Sequence, residues 1–329
     1  MMKKILSIFL VSVMILTVLA GCAKTDTATE ALKFGLGVYT TASASDAVDE
    51  ENAGFGQATV TAAAVLVDSD GKIVKAFVDC AESKVSYTVK GAAITNESFA
   101  TKYEMGNEYN MVVYGGASKE WFEQADAFCS VLIGKTADEV KALVADDGKG
   151  NADVINAGCT IYVADFAKAV DKAMRNASES DATENDTLRL GMSTTQTTTD
   201  ATADTAGINK IETTLFAAAI DSDERIVAAS SDSTEVSFTF DVNGRSTFDS
   251  TKEILSKKEQ GNSYGLVAYG GASKEWFEQA AIFDEACVGK TVSEINGLMR
   301  EDQKGDQSLQ DAGCTIYVSG FVKAASKTD

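Results

Sequence analysis

The twelve residues YGGASKEWFEQA occur twice, as Tyr114–Ala125 and again as Tyr269–Ala280, 155 positions later. The same offset carries Gly134-Lys135-Thr136 onto Gly289-Lys290-Thr291, and AGCTIYV at Ala157–Val163 onto Ala312–Val318. A period this long is a domain duplication rather than a solenoid repeat, and two domains suit a chain of 329 residues. Within the block, Gly115 and Gly116, with Gly270 and Gly271, permit a tight turn or close backbone approach to a ligand. Tyr114, Trp121, Tyr269 and Trp276 are candidates to stack on a flat ring. The competing account is a glycine turn into a helix whose aromatics fill the core. Ser118 is placed to N-cap that helix, in which Trp121, Ala125, Phe128 and Leu132 share one face.

Outward from the block, each repeat reads as a β-rich half followed by a helical half. Thr59–Val67 and Ile73–Asp79 flank the turn sequence Asp68-Ser-Asp-Gly71 and predict a hairpin; Lys84–Val89 alternates as a half-buried strand does. The second copy repeats this around Asp221-Ser-Asp-Glu224 and over Glu235–Asp241. Thr136-Ala-Asp-Glu139 and Thr291-Val-Ser-Glu294 fit capping boxes, and a last helix should span Asp165–Ala177 with a shorter copy near Phe321. The expected fold class is α+β: two tandem copies of a small antiparallel sheet followed by helices, over 32–177 and 188–329. An acidic linker is expected at 178–187, within the polar run Arg175–Thr187, because that run is too polar to order itself. Thr40–Gln57 and Thr194–Ile208, dominated by small polar residues, read as mobile loops.

The N-terminus reads as a signal peptide over 1–21 rather than as fold. Lys3 and Lys4 precede the apolar run Ile5–Leu19, too short for a spanning helix. Leu19-Ala20-Gly21-Cys22 resembles the lipobox of bacterial lipoproteins, which implies a lipid on Cys22, a tether over 22–31, and residence on the extracytoplasmic side of the cell membrane. Acyl chains on one N-terminus supply the multiple lipid signals that stable anchoring needs.

Composition narrows the chemistry. A net charge of −20 with no basic cluster argues against nucleic acid as a partner. The absence of histidine removes Ser-His-Asp and Cys-His catalysis and His-ligated zinc. No nucleophile–base pair stands out, so neither catalytic nor metal-binding residues are assigned. Of six cysteines, setting Cys22 aside leaves an odd number, which is not the framework of a disulfide-stapled domain. Bridges Cys129–Cys159 and Cys287–Cys314 compete with buried thiols, and Cys80 is unpaired on either account. Ile133-Gly-Lys-Thr136 lacks the upstream glycine of a phosphate-binding loop, and the acidic stretches Asp68–Gly71 and Asp146–Asp153 lack the ligand alternation of a calcium loop.

The stretch Ala157-Gly-Cys-Thr-Ile-Tyr-Val, running into Ala-Asp-Phe-Ala-Lys-Ala-Val-Asp-Lys-Ala173, resembles the end of the FMN-binding domain family. That family's closing motif reads roughly Asp-x-x-Ser-Gly-Ala-Thr before a helix, and a flavin transferase esterifies FMN to the Thr. The resemblance implies Thr160 and Thr315 as FMN-bearing positions and Gly158 and Gly313 as the motif glycines. Ala157 and Ala312 stand where the family has Ser, and Cys159 and Cys314 where it has Ala. Two functions follow as expectations. One is a surface lipoprotein binding FMN or another small ligand for extracellular electron transfer. The other is a non-catalytic lipoprotein binding a cell-wall component or protein partner through the duplicated block, with Trp121 and Trp276 as anchors.

Overall fold

The computed structural model describes residues 30–96 and 99–328. Cys22, the signal segment and most of the tether lie outside them.

The first half opens with β1 (Lys33–Ser45), β2 (Gly54–Val67), β3 (Ile73–Tyr87) and the short β4 (Ala93–Ile94). Five helices follow: α1 (Lys102–Met105), α2 (Trp121–Leu132), α3 (Ala137–Lys141), α4 (Ala152–Ala157) and α5 (Ala164–Asn176). After β5 (Ser178–Glu179) come β6 (Thr187–Thr199), β7 (Gly207–Ile220) and β8 (Ile226–Phe240). The chain ends with α6 (Lys257–Gln260), α7 (Trp276–Cys287), α8 (Val292–Ile295), α9 (Gln307–Ala312) and α10 (Ser319–Ala325). The class is α+β, with antiparallel sheets ordered β4-β3-β2-β1-β5 and β6-β7-β8.

The two sheets lie face to face and the helices cover their outer faces, giving four layers. Strand alternation explains why. In β1, Phe34, Leu36 and Val38 point inward, and in β2 Val60, Ala62, Ala64 and Leu66 do so. They meet Leu188, Leu190 and Met192 of β6 and Leu215, Ala217 and Ala219 of β7 in one core shared by both halves. The alternate residues Ala63, Val65 and Val67 face outward and pack with Phe128, Phe166 and Val170 of the helices. Phe216 and Ala218 do the same against Phe283 and Phe321. A strand buried on both faces reads as a continuous apolar run, and Thr59–Val67 reads that way for this reason. Gly35 and Gly37 let α5 lie directly on β1, since a Cβ at either would strike the backbone of Ala169 or Ala173.

The hairpin turns form where the sequence placed them. The Asp68 carboxylate accepts the amides of Asp70 and Lys72, and Asp221 accepts those of Asp223 and Arg225. Three sequence expectations are corrected. Thr40–Gln57 and Thr194–Ile208 are not loops: most of each belongs to β1 and β2 or to β6 and β7, and only the tips connect strands. Threonine suits a pleated surface, and the hydroxyls face partners, Thr40 with Thr234 at 3.2 Å and Thr194 with Thr213 at 2.9 Å. The 178–187 segment is not a free linker either. β5 pairs with the start of β1, the Leu32 amide donates to the Ala182 carbonyl at 2.7 Å, and Ala182 is fully buried in the shared core. Backbone pairing to a sheet edge orders a stretch whose side chains alone could not. Finally, α2 is capped by Glu120 rather than Ser118.

No helix among the described residues is long and apolar enough to cross a membrane. The five cysteines beyond Cys22 are free.

Because one core joins the halves, calorimetry should give a single unfolding transition. Leu215→Ala, at a fully buried inter-sheet position, should lower that whole transition by about 2–5 kcal/mol. Two resolved transitions, with only one displaced, would contradict the shared core.

Candidate functional site

The duplicated block builds a closed loop followed by a helix. Gly115 lies tight against the Met111 carbonyl and Gly116 takes a left-handed φ of +66°, so the pair makes the turn. The Glu120 carboxylate then reaches back to the amides of Met111 (2.8 Å) and Val112 (3.1 Å), closing the loop. Glu275 does the same for Leu266 and Val267. The aromatics divide. Trp121 and Trp276 are 4% and 5% exposed and pack edge-on against Phe166 and Phe321 at 5.6 Å. Tyr114 and Tyr269 are 85% and 91% exposed at the loop tips. The indoles are therefore core residues, not protruding anchors.

Gln124 holds the region together. Buried one turn into α2, its side-chain carbonyl accepts both the amide (2.8 Å) and the hydroxyl (3.0 Å) of Thr160, and its amide nitrogen donates to the Lys119 carbonyl at 3.0 Å. Gln279 binds Thr315 and the Lys274 carbonyl in the same way. Both threonines stay at the surface. Gly158 and Gly313 end α4 and α9 with φ of +101° and +100°, a conformation in which a Cβ is strained. The motif glycines are thus helix stops that turn the chain toward Gln124 or Gln279.

These residues frame a cleft of about 390 Å³ between the outer face of β2–β3 and the helical layer. Trp121, Gln124, Thr160, Phe166 and Tyr162 line it, with Thr59, Thr61 and Cys80 from the strands and Lys102 and Tyr109 from the segment after them. Of the residues singled out in the sequence, Trp121 and Thr160 line this cleft, while Tyr114, Gly115, Gly116 and Gly158 support it from outside. Lys102 is the cleft's half-buried cation. It pairs with Glu82 at 2.9 Å, and its ammonium lies 5.2 Å from the Tyr109 ring centre and 6.0 Å from that of Trp121. Burial works against its charge, but Cys80, at pH high enough to ionise it, and the Glu82 carboxylate outweigh burial and hold Lys102 above the ordinary lysine range. Burial also pushes the Cys80 thiol up to about 12, so it is a protonated lining group and not a nucleophile at neutral pH.

Asp79 seats Lys102. Its carboxylate accepts the amides of Cys80 (2.6 Å) and Tyr103 (3.1 Å), pinning the first turn of α1 to β3. Asp232 does the same for Ser233 and Lys258. Burial raises the Asp79 carboxyl to about 6. Lys102, Gln124, Glu120 and Asp79 carried no motif and were not singled out in the sequence. For Gln124 and Glu120 the usable signal was polar identity within a block preserved in both halves. The Gly-Lys-Thr turns have a structural role: Ile73 pairs with Lys135 and Gly134, as Ile226 does with Lys290 and Gly289.

No family model matches the chain, and no solved structure matches it. A 40-residue stretch is 45% identical to a chlorophenol reductase of Desulfitobacterium hafniense, spanning 12% of each chain. So short a match does not carry an activity over.

Because the folded pKa of Asp79 lies above its unfolded value, its stabilising contribution is complete below about pH 4 and is lost as pH rises through about 6. Asp79→Asn keeps the acceptor oxygen but no titration. Urea unfolding should show the native protein gaining on the variant, by on the order of 2 kcal/mol, as pH falls from 7 to 4. A pH-independent difference would rule this account out.

Proposed function

We propose that this chain is an exported lipoprotein, anchored to the membrane through lipid on Cys22. Behind a signal peptide and tether it carries two tandem copies of one α+β unit. Its role is to bind a small ligand, with FMN the leading candidate, and to serve in extracellular electron transfer. The observation that carries the ligand reading is the cleft over β2–β3, where a half-buried cation, two aromatic rings and Thr160 converge. Thr160 and Thr315, the positions implied by the family resemblance, are both at the surface, where a flavin transferase has access. Chemistry at such a site would be the flavin's own, with the protein supplying position and surroundings.

A second reading rests on the loop tips. Tyr114 with Val113, and Tyr269 with Val267, stand exposed beside the duplicated glycines. They offer aromatic contact to a wall component or protein partner without disturbing either core.

Expression with a flavin transferase, followed by intact mass, should give an FMN adduct that Thr160→Ala or Thr315→Ala removes, or free flavin retained on purification. Neither adduct nor retained flavin ends the flavin reading. Cys22→Ser should shift the chain from the membrane fraction to the soluble one; unchanged membrane retention would refute the anchor.

A further inference from the structure

The cleft over β2–β3 has a counterpart over β7–β8, and the two are not equivalent. The second measures about 130 Å³, against about 390 Å³ for the first. Most of the frame is preserved: Trp276, Phe321 and Tyr317 stand where Trp121, Phe166 and Tyr162 do, and Lys257 stands where Lys102 does. The difference lies in the floor. Thr59 of β2 becomes Glu212 of β7, and Cys80 of β3 becomes Ser233 of β8.

Glu212 fills the space that Thr59 leaves open. Its carboxylate takes the Lys257 ammonium at 2.6 Å and the Ser233 hydroxyl at 3.0 Å. Burial opposes its charge, but Lys257 outweighs burial and lowers the Glu212 carboxyl below the usual range. The second cleft thus holds a fixed carboxylate and a neutralised cation. In the first cleft Lys102 pairs instead with Glu82, which is half in solvent, and no carboxylate occupies the floor. Lys149, which has no ion-pair partner among the described residues, adds a second positive charge at the rim. Asp165, the acid there, pairs with Lys168 at 3.4 Å.

We propose that the chain has one ligand site, the cleft of the first half, which takes a planar aromatic molecule bearing an anionic group. Its ring lies among Trp121, Tyr109 and Tyr162, and its acid is held by Lys102. The cleft of the second half is closed to such a ligand by Glu212. Lys149 leaves an unpaired positive charge at the rim, which favours an anion in a chain of net charge −20. Thr61 and Thr160 add hydroxyls along the walls. This inference rests on the small-ligand reading above and specifies its chemistry, and it holds for flavin and non-flavin aromatic acids alike.

The test is calorimetry on the full folded chain with naphthalene-2-sulfonate, neutral 2-naphthol and FMN as separate probes. The sulfonate should bind once per chain. Thr59→Glu, which rebuilds the second half's floor in the first, should abolish binding, and Lys102→Met should weaken it about tenfold or more. Glu212→Thr should raise the stoichiometry to two. Circular dichroism and melting curves on each variant separate lost binding from lost fold, and if Thr59→Glu does not fold, the Glu212→Thr stoichiometry decides, a value that stays at one overturning the proposal. No sulfonate binding, two sites in the native chain, indifference to the charge at position 59, or equal affinity for 2-naphthol would each overturn the proposal. If the sulfonate behaves as stated and FMN does not bind, the flavin reading fails and this inference stands. FMN retention untouched by both Thr59→Glu and Lys102→Met would preserve the flavin reading and overturn the inference.

Discussion

Everything in this molecule depends on three long strands in each half having to bury both faces. A sheet of β1–β3 covered by α2 and α5 on one side still presents Phe34, Leu36, Val60 and Leu66 on the other. Among the described residues no helix of its own half joins that cluster; the matching face of β6–β8, with Leu32 and Ala182, covers it, so the halves close on each other as two sheets with helices outside. Side chains facing across this layer include the short Ala62, Ala64, Ala217 and Ala219 beside the larger Val60, Leu66, Met192 and Leu215.

That arrangement decides where ligand chemistry can sit. The shared inner core is apolar and closed, and the cleft framed by the duplicated block opens on an outer face, between sheet and helices. The duplicated block builds its wall. Glu120 closes the loop by taking two otherwise unpaired amides, and Gln124 ties that loop to the Thr160 turn. Both are buried polar groups with partners for their hydrogen bonds, which is the condition under which burial of a polar side chain is tolerated. A rigid wall of this kind leaves strand residues such as Thr59 free to vary without disturbing the frame.

The strand hairpin, the helix face of Trp121, Phe128 and Leu132, and the capping boxes at Thr136 and Thr291 were legible because each is a local pattern. The turn at Asp68 and the helix stops at Gly158 and Gly313 obey rules that span only a few residues. What was not legible is long-range. The threonine-rich segments read as loops because composition does not reveal that the neighbouring strand, and the sheet opposite, supply their partners. The 178–187 stretch read as a linker for the same reason: its order comes from pairing with the edge of β1, not from its own side chains. Lys102 was invisible because nothing in its neighbourhood in sequence announces Glu82, Tyr109 and Trp121 gathering around it.

The duplication itself was the plainest feature of the sequence, and its meaning changes with the structure in hand. Identity of the YGGASKEWFEQA block reflects a shared need to close one loop and seat one turn, a task that both halves retain. Divergence falls where the frame exerts no demand. Position 59 faces a cleft rather than a core, so threonine and its counterpart glutamate are both compatible with the fold, and the counterpart draws the buried lysine into a tight internal pair. Two halves joined through one core cannot lose either without exposing the other's apolar face. The second half is therefore necessary as scaffold even though its own cleft is filled by Glu212. Glu212 with Lys257 has the form such a half would take: most of the frame preserved, and the opening occupied by its own ion pair.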